Sequence, residues 1–196
     1  MHERHVRRDR SLEVEPLGDG VFAFEARLTD ASHGGHHDPP SDTATIHDFR
    51  IVGEVRGTDL VLGRLEVEAL THPYPGCPFI LPACDALVGA SLASGWRHEV
   101  LRRLRGPSGC THVVSLLLGL TELTTLTFFL RINESVPYGA AHRAAGDWNA
   151  AGLDAVPDLG DACHVLTTDG PVLSLARERR AARPGTIPLS AKDPHV

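Results

Sequence analysis

Apolar and polar positions first alternate with a period of two. Val21-Phe22-Ala23-Phe24-Glu25-Ala26-Arg27-Leu28 runs ahead of Thr29-Asp30 in the roughly alternating pattern of a strand with one covered face, so strand structure is expected across residues 12–30. Phe49 to Val55 and Leu60 to Leu70 are predicted to form a hairpin turned by Arg56-Gly57-Thr58-Asp59. In its second strand Val61, Gly63, Leu65, Val67 and Ala69 share a face. Ahead of the hairpin, the stretch 31–44 carries Gly34, Gly35, Pro39 and Pro40 and reads as a mobile loop.

The period then lengthens. Val88, Leu92, Trp96, Val100 and Leu104 recur every four residues, which predicts a helix from Asp85 to Arg105 with Asp85 as N-cap and Gly106-Pro107 as the stop. Gly89 and Gly95 each weaken it by ~1 kcal/mol relative to Ala. A second helix, from Thr111 to about Ile132, is apolar nearly all round and is expected at the centre of the fold. Its His112, Ser115, Gly119 and Glu122 fall on one stripe; His112 and Glu122, ~15 Å apart along the axis, cannot share an ion but could line one elongated cleft. Ser135 to Asp161 is loop-rich, with a short helix expected around Ala141 to Asn149. A last strand pair is expected at Ala162 to Thr167 and Val172 to Leu175. Strands, then helices, then strands define an α+β fold: an antiparallel sheet with two main helices packed on one face. One domain over 1–181 and a disordered tail over 182–196 complete the expected organisation.

Composition narrows the class. The 196 residues are 42% hydrophobic, enough for a real core, and only 5% aromatic, so Leu, Val and Ala fill most of it. A net charge of −6 argues against general nucleic-acid binding, which needs a basic face. The longest apolar stretch, Val113 to Leu130, is broken by Ser115, Glu122 and several threonines, and the charged start Met1 to Arg10 lacks a signal region. A cytoplasmic chain without membrane contact is expected, in which four cysteines are thiols or metal ligands.

Chemistry is concentrated in His47-Asp48, Cys77, Cys110-Thr111-His112 and Cys163-His164. Cys110 carries the strongest signal. It stands after Gly109 at the start of the buried helix, where free N–H groups and the dipole favour a thiolate able to act as nucleophile or metal ligand. Cys77 lies in the proline-rich loop His72-Pro73-Tyr74-Pro75-Gly76-Cys77-Pro78, whose fixed φ angles can hold a side chain in place. Cys163 is expected in the core. His33, His36 and His37 belong to the loop and are expected to be solvated. No phosphate loop, nucleophile elbow or His-Glu-x-x-His helix is present in the sequence.

The runs Glu25-Ala26-Arg27-Leu28-Thr29-Asp30, His47-Asp48-Phe49, Pro73-Tyr74-Pro75-Gly76-Cys77, Leu87-Val88-Gly89 to Gly95-Trp96, Gly109-Cys110-Thr111-His112 and Cys163-His164 to Asp169-Gly170 resemble an uncharacterised bacterial family, domain of unknown function 2889. The likeness spans about Arg4 to Leu175 and implies no activity. The chain departs from the pattern in the Gly/His/Pro insertion after Asp30, in Phe49 where methionine is expected, and in Ser115 where an acid is expected. The layout also resembles the NifU-like iron–sulfur scaffold proteins. That second resemblance implies that His47, Asp48, Cys77 and Cys110 converge, with His112 just beyond.

Thiolates with imidazoles suit zinc or iron. The expectation is a metal-dependent enzyme, a lyase or hydrolase acting on a small organic substrate. His47, Cys77 and Cys110 would hold the ion, with Asp48 or His112 as fourth ligand or general base. The alternatives are an iron–sulfur or zinc scaffold without catalysis, and a metal-free enzyme using the Cys110 thiolate.

Overall fold

The structure, a computed structural model, describes residues 4–37 and 40–183; the expected tail lies outside them from residue 184 onward. The chain divides into two compact units, Met1–Thr127 and Phe128–Val196.

The first unit is built on a four-stranded antiparallel sheet in the order β1 (His5–Gly18), β2 (Val21–His33), β3 (Thr43–Arg56), β4 (Val61–Thr71). The β1–β2 connection turns on Gly18, Asp19 and Gly20, all at positive φ (96°, 52° and 71°), a conformation glycine adopts without steric cost. Strand structure begins at His5, earlier than expected. The first residues are too charged to show an apolar alternation, and their pairing with β2 supplies the order.

The β2–β3 register sets Phe22, Ala26 and Leu28 opposite Val55, Ile51 and Phe49, all buried on one face. Each of the Phe, Leu, Ile and Val side chains contributes about 1.5–3 kcal/mol when fully buried. Gly53 faces Phe24, and a Cβ there would stand 2.3 Å from the Arg64 carbonyl oxygen and 2.7 Å from the Phe24 ring.

The other sheet face is charged. Arg27 and Arg50 are direct partners, a repulsive arrangement. It is offset because Arg27 donates to both Asp48 oxygens (2.6 and 2.8 Å) and Arg50 bridges Glu25 (2.7 Å) and Glu68 (3.0 Å).

After β4 come a 3-10 helix (Cys77–Leu87), α1 (Trp96–Leu104), a 3-10 turn (Gly106–Ser108), α2 (Thr111–Gly119), another 3-10 turn (Leu120–Glu122) and α3 (Leu123–Asn133). The predicted helix 85–105 is thus reduced to its last part. Gly89 and Gly95 sit at φ 91° and 69°, left-handed, and end any right-handed helix before Trp96. Trp96 then anchors α1 to α2 by donating its indole N–H to the Leu117 carbonyl at 2.6 Å. α2 packs on β2 and β3, on the sheet's apolar face. The predicted helix 111–132 is present but interrupted by the turn at Leu120–Glu122.

The run Thr111–Asn133 is long and apolar enough, by length and composition, to cross a membrane. Core helices meet the same measure, and Val113, Leu116, Leu117, Leu120 and Leu123 are buried in the fold.

The second unit adds α4 (Ala140–Ala144), α5 (Asp147–Ala155) and α6 (Pro171–Ala181). Leu153, Leu159, Leu173 and Ala176 form its core, with Phe128 and Leu166 packed against them. The strand pair expected here does not form: residues 162–170 are turns and bends, and the rest is α6. Pro171 occupies the first turn, where its missing N–H costs nothing, with Gly170 as N-cap. Cys163, expected in the core, is exposed in these turns.

The chain is therefore α+β, a four-stranded antiparallel meander with several helices.

Candidate metal centre

The covered face of β2 reads Phe22, Phe24, Ala26, Leu28 and then Asp30, so period two carries a carboxylate onto an apolar surface. Asp30 is 6% exposed and sits directly opposite Arg8 on β1 and His47 on β3. Arg8 grips both carboxylate oxygens, Nε to Oδ1 at 2.6 Å and Nη2 to Oδ2 at 2.7 Å. His47 Nδ1 lies 3.0 Å from the same Oδ2.

The backbone around His47 is irregular on both sides. Asp30 pairs with His47 but Ala31 with Thr45, which leaves Ile46 unmatched. Asp48 pairs with Thr71 but Phe49 with Ala69, which leaves Leu70 unmatched. Such bulges bend a strand and re-aim its side chains, here at the end of the sheet where the imidazole is presented.

The third group arrives on α2. Gly109 precedes it in extended conformation, and a Cβ there would be 1.9 Å from the Leu104 carbonyl oxygen, so the chain passes only without a side chain. Cys110 follows as the N-cap of α2 (φ −110°, ψ 131°). His112, in the first turn, lies flat over Phe49 (centroids 5.7 Å apart, planes 7° apart) and 3.8 Å from the His47 ring. Its Nε2 is 3.5 Å from Asp30 Oδ2, and its Nδ1 is 3.7 Å from Cys110 Sγ.

One ligand-type atom from each of Asp30, His47 and His112 lies within 4.8 Å of the others. A carboxylate with two half-buried imidazoles is a donor set for zinc or for non-haem iron, with positions left for water or substrate. The charge states suit this. Arg8 holds the Asp30 carboxyl below the usual carboxylate range despite burial, with His47 and His112 adding to the effect. Burial first, then His47 and Arg8, push His112 below its ordinary value against the pull of Asp30, which favours the neutral form that can ligate.

The expected site residues separate. His47 and His112 come together. Cys110 stands behind His112 on Nδ1, the position of a group that orients a ligand. Asp48 is on the opposite sheet face from His47, since adjacent strand residues point apart, and Arg27 occupies both its oxygens. Cys77 opens the 3-10 helix, half-buried, and is not in the cluster. Cys84 is fully buried, and desolvation first, with Asp85 and Cys110 nearby, pushes its thiol up to about 11. Sequence reasoning missed Asp30 and Arg8. An acid on the apolar parity of β2 was the signal that could have found Asp30.

Residues 5–125 match the model of a family described as Protein of unknown function (DUF2889). No curated protein and no solved structure matches the chain.

Proposed function

The chain belongs to the DUF2889 family, and we propose that Asp30, His47 and His112 hold one zinc or iron ion in a cytoplasmic enzyme acting on a small organic substrate. The observation that carries this reading is the convergence of two imidazoles and one buried carboxylate on a single point, Asp30 Oδ2. His47 Nδ1 and His112 Nε2 both face that oxygen. Arg8 would remain on Oδ1 and fix the carboxylate plane, and Cys110 would leave His112 Nε2 free by occupying Nδ1. Three protein ligands with open coordination positions describe a catalytic rather than a structural ion. Bound there, the ion would supply Lewis-acid polarisation or an activated water.

Elemental analysis of the purified chain tests this. About one zinc or iron per chain is expected in the wild type and in Cys77→Ala, with loss in His47→Ala and His112→Ala. No stoichiometric metal, either as isolated or after reconstitution, overturns it.

The 3.7 Å contact between Cys110 Sγ and His112 Nδ1 favours a second reading. Because Cys110 is extended and outside the helix, the two side chains meet despite a spacing of two residues. With Asp30 on the far nitrogen, the order Cys110–His112–Asp30 is that of a thiol nucleophile, its base and an orienting carboxylate. Rapid alkylation of Cys110 in metal-free protein, abolished in His112→Ala, would favour this reading over the metal one.

A further inference from the structure

One helical turn beyond His112, the same stripe of α2 borders a second feature. A cavity of about 110 Å³ lies between α2 and the β1–β2 pair. Its near end is Arg10 and Ser115, which are hydrogen-bonded to each other. Leu12, Ala26 and Leu116 give it apolar walls, and Gly119 leaves it open, since a Cβ there would meet nothing within 4 Å. Glu122 stands at the far end, ~10 Å along the helix axis from Ser115.

Two features make this more than a surface dent. Among the described residues Arg10 forms no ion pair, in contrast to Arg7 and Arg8 on the same strand, which each grip a carboxylate. One bond to Ser115 leaves most of its guanidinium donors available. Arg10 also follows Arg8 by two residues on the same sheet face, ~7 Å along the strand, so its charge stands beside the Asp30 cluster.

We infer that this cavity binds a small organic monocarboxylic acid, its carboxylate on Arg10 and Ser115 and its tail over Gly119, and so defines the substrate class of the centre next to it. The inference rests on the metal reading for its catalytic meaning, though not for the binding itself. A planar guanidinium with a neighbouring hydroxyl matches a carboxylate in shape and charge. The apolar walls match a chain of a few carbons. Glu122 repels a second carboxylate at the tail, which selects monocarboxylic over dicarboxylic acids.

The test is calorimetric titration of the full chain, zinc-loaded, with butyrate, its neutral isostere butyramide, and glutarate, with zinc content measured on every sample. Butyrate is expected to bind at least about tenfold more tightly than butyramide or glutarate. Arg10→Gln and Gly119→Leu should each weaken butyrate at least about tenfold while retaining zinc, and Glu122→Gln should bring glutarate toward butyrate. Gly119→Leu fills the space from a helical position and removes no charge, so it checks the site independently of Arg10.

Absent butyrate binding, equal affinity for butyramide, or butyrate affinity untouched by both variants overturns the inference, the last because the acid would then sit on the ion alone. A chain that takes up no zinc yet binds butyrate through Arg10 keeps the acid pocket and discards the metal reading.

Discussion

His47 Nδ1 lies 3.0 Å from Asp30 Oδ2, and the two residues are direct partners across the β2–β3 pairing. The site therefore does not depend on a loop for its first two groups. Sheet register sets their separation, and a bulge at Ile46 ends the regular ladder just beyond them. Only His112 is delivered from another element. Its ring is held by contact with Phe49 on one side of the cluster and by Cys110 at its Nδ1.

Because Asp30 is buried and accepts from Arg8 and His47, its removal should be among the more damaging polar substitutions in the first unit. Asp30→Ala leaves the Arg8 and His47 donors without their acceptor and should cost about 2–4 kcal/mol. Asp48→Ala breaks a bidentate arginine pair of similar exposure, but among the described residues no histidine donates to that carboxylate, and it should cost less, about 1–2 kcal/mol. Urea denaturation of the metal-free proteins reads both. Equal costs would contradict the special standing of Asp30.

Acid should destabilise the metal-free chain in two steps. His112 is held below its ordinary value when folded, so as pH falls through ~6.5 the unfolded chain takes up the proton first and stability declines. Asp30 is also depressed. Its contribution is complete above ~3.9 and is lost as pH falls further, through the folded value. Stability measured from pH 8 to pH 3 should show both declines. In His112→Gln the upper one should shrink and the lower one remain.

The four thiols should divide by position. Cys163 is exposed and should alkylate first, while Cys84, fully buried with its thiol raised to about 11, should stay unlabelled until the chain unfolds. Cys110→Ala should weaken metal binding about 10–100-fold without abolishing it, since it removes the group behind His112 rather than a ligand. Mass-mapped labelling and competitive zinc titration check the two parts. Complete loss of metal in Cys110→Ala would make the thiol a direct ligand.

Gly109→Ala should be disproportionately harmful for so small a change. The added methyl would collide with the Leu104 carbonyl, which is backbone and cannot swing aside. The segment leading into Cys110 and His112 must then shift, at a cost of about 1–3 kcal/mol. Both a lower melting temperature and weaker zinc binding are expected; a normal melting temperature would show that the approach to α2 has slack.

Much of the first unit was legible because its residues are patterned by one covered face. Period two located β2, β3 and β4, and the four-residue stripe located the buried end of α1. The apolar run located α2 and α3. The losses have specific causes. By residue type Gly89 and Gly95 only weaken a helix, whereas their left-handed φ angles end it outright. Pro171 falls between the two strands expected at 162–167 and 172–175, whereas it starts α6.

At the site, His47 and His112 were legible as residue types near strand and helix starts. The NifU-like layout places Asp48 with His47, but a strand sends neighbours to opposite faces, and Arg27 holds the carboxylate there. The glycines and prolines of 31–44 predict a loop, which makes Asp30 the end of a strand. The strand runs on to His33, and that continuation turns Asp30 from a boundary residue into a buried one.

X-ray absorption at the metal edge of the zinc-reconstituted chain tests the ligand set most directly. The expected result is one shell of nitrogen and oxygen at about 2.0–2.1 Å with imidazole scattering and no sulfur, reduced in His47→Ala and His112→Ala. A sulfur shell near about 2.3 Å, or no bound zinc to measure, would contradict a centre made by Asp30, His47 and His112.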